Sequence, residues 1–145
     1  MGKAVVARSA VEYLIGLILS VALAGFATAI GLDRERAFYP TVLIVIASYY
    51  GLFAVMGGSS QAQLVEIIVA TGFLVFAVLG FNRSLWFAFA AIVGHGVFDF
   101  VHHRFIENPG VPFWWPGFCL TLILGVWLAV RLMSGTACAV ESQRG

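Results

Sequence analysis

Apolar runs of close to 20 residues, parted by short polar connections, constrain this chain more than any single residue in it. They cover about 11–32, 37–56, 62–81, 85–105 and 113–133. A helix rising about 1.5 Å per residue needs about 20 of them to cross ~30 Å of hydrocarbon, so each run has the length of one crossing. The expected fold is therefore all-α: a polytopic membrane protein in which residues 1–145 form one bundle of about five transmembrane helices. Charged residues make up only 10% of the chain, against about 25% in an ordinary soluble domain, and this excludes a water-exposed surface of the usual kind. A net charge of +1 gives no electrostatic basis for nucleic-acid binding. The expected partners are the lipid bilayer, a lipid or small apolar substrate, and further copies or subunits. One small odd-numbered bundle lacks the inverted-repeat design of many transporters.

Local signals mark the ends of the runs. Ser9-Ala-Val-Glu12 and Ser60-x-x-Gln63 have the spacing of capping boxes that start the first and third helices. Pro40 suits the first turn of the second, where its missing N–H costs little. Ala27-Thr28-Ala29 has the form of a signal-peptide cleavage site, but a ~22-residue apolar run is long for a signal core and reads as a first span. Five spans place the termini on opposite sides. Lys3, Arg8 and Arg104 fall with the N-terminus, and Arg34, Arg36, Arg83, Arg131 and Arg144 with the C-terminus. The excess points to a cytoplasmic C-terminus. Cys119 and Cys138 would lie ~28 Å apart on one continuous helix, too far for a disulfide.

Residues 94–104, Gly-His-Gly-Val-Phe-Asp-Phe-Val-His-His-Arg, contain all three histidines of the protein. At about 100° per residue, His95, Asp99 and His102 fall within a ~60° arc, and His103 widens it to ~100°. Span parity brings Glu12 and Glu66 near the same membrane face, so nearly every ionisable group inside the spans is expected in one leaflet. The other leaflet is then apolar apart from its loop charges. Ionisable groups inside a membrane face the bundle interior and pair. Histidine and carboxylate together are ligands for a divalent metal such as zinc, iron or manganese. The expected ligands are His95, Asp99, His102, His103, Glu66 and Glu12, at a site between spans 1, 3 and 4. Asp99 and Glu66 are the candidate catalytic groups, Glu66 as ligand or general base.

Each of these residues also has a plainer reading. Glu12 and Glu66 suit helix N-termini, where the dipole favours negative charge. His102, His103 and Arg104 suit an interface facing headgroups, and His95 bonded to Asp99 suits helix packing. Trp114 and Trp115 fit an aromatic belt. Tyr49 and Tyr50 fit a belt, the core or a site lining, and Gly94 and Gly96 fit close helix approach or space for a ligand.

The string His95-Gly96-x-x-Asp99-x-x-His102-His103, with Trp114-Trp115-Pro116-x-x-Cys119 after a proline-rich loop, resembles a pattern in small, uncharacterised bacterial integral-membrane proteins. It covers the last two spans. More weakly, Asp99-Phe-Val-His102-His103 is similar to the H-x-x-H-H boxes of membrane hydroxylases and desaturases, with aspartate in the first place. Three functions are expected from different classes: a metal-dependent membrane oxidoreductase or hydrolase, a proton or metal transport component, and an accessory subunit holding a cofactor or partner.

Overall fold

The computed structural model describes residues 2–112 and 117–137, without the side chains of residues 2–9, Glu12 and His103. The described residues form five α-helices and one short 3-10 helix, with no strand among them. They are α1 (Gly2–Ala29), α2 (Phe38–Met56), α3 (Ser60–Asn82), α4 (Leu85–Phe105) and α5 (Gly117–Met133), with the 3-10 helix Leu32–Arg34 after α1. Helices α2, α3 and α4 are long and apolar enough to cross a membrane; Tyr13–Ala29 of α1 and the whole of α5 are shorter apolar helices.

The helix ends follow the sequence signals with three differences. Helix α1 runs through Ser9–Glu12, so that box does not start it. The cap of α3 is Ser59, one residue before the expected serine, and its Oγ accepts from the Ala62 N–H at 3.2 Å. The run expected to end at residue 32 breaks at Gly31, whose φ of 78° is the left-handed conformation that glycine adopts without steric cost. Pro40 lies in the first turn of α2 as its geometry requires.

Packing follows a 3.5-residue repeat. On α4 the buried positions Leu85, Ala88, Ile92, His95, Asp99 and His102 alternate steps of three and four, one continuous seam. On α2 the seam is Tyr39, Leu43, Ile46, Tyr50 and Phe53. Helix α3 buries little beyond Ala62, Glu66, Ala77 and Gly80, and its other faces are exposed and apolar. Around the bundle, α1 packs on α5, α5 on α4, α4 on α3 and α3 on α2, with α2 also touching α4. Small residues set the spacing. A Cβ on Gly80 would lie 2.9 Å from the Ala88 Cβ, and one on Gly96 would lie 2.8 Å from Thr121 Oγ1, so neither contact admits a larger residue without movement. Gly94 has open space instead. Helix α1 therefore sits beside α5 and not beside α3, which corrects the expectation of a site between spans 1, 3 and 4.

Candidate functional site

The seam of α4 changes from apolar to polar at His95, and from there it faces α2, α3 and α5. His95, Asp99 and His102 are 1%, 6% and 1% exposed. The i,i+4 spacing puts His95 Nδ1 3.3 Å from Asp99 Oδ2, so the tautomer with its proton on Nδ1 donates to the carboxylate. Helix α3 brings Glu66, 1% exposed, so that its Oε1 lies 2.6 Å from His102 Nε2. Two histidine–carboxylate pairs are thus closed inside the bundle, one within α4 and one joining α4 to α3. Charge-assisted bonds from N–H to a carboxylate measure about 2.7–2.9 Å, and the Glu66–His102 contact is just shorter than that.

Three further groups complete the site. Asn108, in the loop after α4, donates from Nδ2 to Glu66 Oε1 at 3.1 Å and to the Tyr50 carbonyl at 3.0 Å. Its Oδ1 accepts from the Gly110 N–H at 3.3 Å, which turns the loop back over α3. The Tyr50 ring lies against both histidines, with centroids 4.3 Å from His102 and 5.9 Å from His95, so Tyr50 is a site-lining residue rather than part of a belt. Tyr49 is half-buried and stacks on Phe53. Thr121 of α5 is fully buried; its Oγ1 donates to the Gly117 carbonyl at 2.9 Å and stands 3.5 Å from Asp99 Oδ2. Glu66 Oε2 and Asp99 Oδ1 are buried and have no hydrogen-bond partner among the described residues.

Of the expected ligands, Glu66, His95, Asp99 and His102 are in this network. The side chains of Glu12 and His103 lie outside the described residues, as do Trp114, Trp115, Pro116 and Cys138. Among the described residues no group of three or more His, Cys, Asp or Glu is placed to hold a metal ion. The four groups are joined in two pairs, His95 with Asp99 and His102 with Glu66. Cys119 is partly buried with a free thiol.

A second polar centre occupies the other end of the bundle, where the sequence suggested only apolar side chains and loop charges. Asp33, fully buried in the 3-10 helix, lies 2.9 Å from Arg131 Nη2 of α5 and accepts from Thr28 Oγ1 at 3.0 Å. Arg131, counted from the sequence among the cations on the C-terminal side, is thus an internal ion-pair partner with a side chain 13% exposed. Tyr39 is buried within reach of both charges. Between the two centres the seams carry Leu43, Ile92, Leu124 and Leu128, each at most 1% exposed. Thr121 and Arg131 are separated along α5 by about 15 Å at 1.5 Å per residue, and the intervening layer of seam residues is apolar.

Comparison of the chain with protein families, with curated proteins and with solved structures finds no match. The geometry of the network is therefore the basis for a functional reading.

Proposed function

We propose that this chain is an integral membrane protein of five spans that acts as a one-sided proton-binding module, taking up and releasing a proton at the Glu66–His102 pair. The exposed apolar faces of α1 and α3, with Leu14, Ile18, Val21, Leu64, Ile68 and Val75 outward, suit contact with lipid chains and not with water. Its setting is a bacterial inner membrane, following the resemblance of the His/Asp motif. The C-terminus is cytoplasmic on the balance of Arg34, Arg36, Arg83 and Arg144 against Lys3, Arg8 and Arg104.

The observation that carries this reading is the 2.6 Å contact between two groups with essentially no exposure. A lone charge there costs several kcal/mol, which favours the two groups as a pair, and a proton added to or taken from that pair would change the charge of the whole site. The neighbouring His95–Asp99 pair stands one turn deeper and feels that change. The apolar layer of Leu43, Ile92, Leu124 and Leu128 favours exchange with one face over conduction through a protomer. Such a module serves as the proton-linked subunit of a larger membrane assembly.

The test is infrared difference spectroscopy of the full chain in nanodiscs between about pH 4 and pH 10, which brackets ordinary carboxylate and histidine values. A carboxyl signal absent from Glu66→Gln and displaced in His102→Gln is expected. Superimposable spectra of the native chain and Glu66→Gln would remove the reading.

A second reading is favoured by the partnerless oxygens Glu66 Oε2 and Asp99 Oδ1. A divalent zinc, iron or manganese ion bound there would make the site a metal centre acting on a lipid or small apolar substrate.

A further inference from the structure

At the end of the bundle where α5 finishes, three connections enclose a cavity of about 160 Å³, and none of its described walls belongs to either polar centre. The segment after the 3-10 helix brings Arg36, and the turn from α3 into α4 brings Ser84 and Trp86. The end of α5 and the chain beyond it bring Leu132, Gly135 and Ala137.

Each wall is held in place. Gly135, at a φ of 69°, turns the chain back, and the Thr136 and Ala137 N–H groups donate to the Arg131 carbonyl at 3.0 and 3.1 Å. Ala137 thereby reaches the core, at 1% exposure. Arg36 Nε donates to the Phe81 carbonyl near the end of α3, which keeps the guanidinium at the cavity. Ser84 Oγ accepts from the Trp86 N–H at 3.4 Å, so its own hydroxyl hydrogen remains a donor.

The charge of this lining is one-sided. Among the described residues that form it, Arg36 is the one charged side chain and none is acidic. A guanidinium presents five N–H donors in a fork that matches the oxygens of phosphate. The depth of the cavity narrows the anion. It lies at the ends of α3 and α4, both long enough to cross a membrane, where the phosphates of a bilayer lie. Trp86, 47% exposed in the first turn of α4, is an amphipathic ring of the kind found in that layer. Arg34 and Arg83, both exposed, add positive charge at the same end against Glu35.

We propose that this cavity binds the phosphate group of an anionic membrane phospholipid, with the Arg36 guanidinium and the Ser84 hydroxyl as donors. Basic pockets between membrane helices on the cytoplasmic side hold such headgroups. The proposal rests on the membrane-spanning part of the reading above and not on its proton site. Space for on the order of five waters at ~30 Å³ apiece takes one phosphate group and leaves the acyl chains outside. A zwitterionic lipid carries the same phosphate together with an ammonium, for which the described walls offer no carboxylate. The site therefore selects net negative charge.

Native mass spectrometry of the full chain in detergent, titrated with phosphatidylglycerol or phosphatidylcholine, tests this. The native chain should bind one phosphatidylglycerol at least about tenfold more tightly than phosphatidylcholine, as expected for hydrogen bonds to a charged group. Arg36→Gln should lose most of that preference. Arg34→Gln removes an equal charge two residues away, outside the cavity, and should keep it. Leu132→Phe fills the cavity from the α5 side with Arg36 in place; it should also lose the preference, and it serves if Arg36→Gln does not fold. Equal losses in Arg34→Gln and Arg36→Gln would reduce the effect to general surface charge and overturn the site. Inorganic phosphate at millimolar concentration should leave the bound lipid in place, and its displacement of the lipid would overturn the lipid as the source of the phosphate. A micellar chain with equal affinity for both lipids overturns the site alone. A chain that stays monodisperse without detergent overturns the membrane reading and the site with it.

Discussion

Glu66 and His102 stand 36 residues apart in the chain and meet at 2.6 Å, with side chains 1% and 0% exposed. Neither can exchange its partner for water while the bundle is closed, so the two helices that carry them are tied by a contact whose loss is felt in full. Asn108 donates to the same oxygen, which makes Glu66 Oε1 the common acceptor of two elements, α4 and the loop beyond it.

That arrangement predicts unequal costs at one position. Glu66→Ala leaves His102 Nε2 and Asn108 Nδ2 without their acceptor and should cost about 2–3 kcal/mol of unfolding free energy. Glu66→Gln keeps an acceptor oxygen and should cost about 1 kcal/mol or less. A double-mutant cycle with His102→Ala should give a coupling of about 1–2 kcal/mol, read from reversible unfolding in mixed micelles.

Gly94 and Gly96 are two residues apart and should respond in opposite senses. Gly94 faces open space, so Gly94→Ala gains helix propensity and should leave stability unchanged or raise it by about 0.5–1 kcal/mol. Gly96→Ala pushes against Thr121 Oγ1 and should lower stability by about 1–3 kcal/mol. Thermal denaturation of the two variants side by side reads the difference.

At the other end of the bundle, Asp33→Ala strands the Arg131 guanidinium and should destabilise by about 3 kcal/mol. Replacing both, as Asp33→Ala with Arg131→Met, removes the stranded charge and should recover more than half of that loss. Thermal unfolding of the single and double variants is the measurement, and a double variant no better than the single would show that the ion pair is not the source of the cost.

Metal content separates the two functional readings. Mass spectrometry of untagged, detergent-purified protein should find well under one equivalent of zinc, iron or manganese on the proton-binding reading. About one metal per chain, lost from Asp99→Ala/His102→Ala, would replace the proton site by a metal centre.

Much of the site could be read along α4 because its repeat is regular. Leu85, Ala88 and Ile92 set a seam, and His95, Asp99 and His102 continue it without a break, so their inward position follows from spacing alone. Glu66 follows from helix parity, which brings the start of α3 beside the end of α4. Asn108 is different. Asn-Pro-Gly reads as a chain breaker, and nothing local shows that the amide folds back to a carboxylate 42 positions earlier. Thr121 gives no signal either, since a hydroxyl bonded to its own helix looks the same whichever neighbour it faces. Arg131 did carry one: a cation inside an otherwise apolar helix calls for a buried partner, and Asp33 is within reach only because Gly31 turns the chain.

The layer of Leu43, Ile92, Leu124 and Leu128 has an electrical consequence in the membrane. Polar groups above and below it shorten the insulating path through the protein to about half of the ~30 Å hydrocarbon thickness. With the bundle spanning a bilayer as proposed, a transmembrane voltage would drop mainly across these four side chains and leave Glu66 near the potential of its own bath. Each full crossing of the field by a unit charge is worth about 2.3 kcal/mol per 100 mV. On the proton-binding reading, a proton taken up at Glu66 from the near side would traverse little of that field, so its binding would report the acidity of one compartment and little of the voltage between the two.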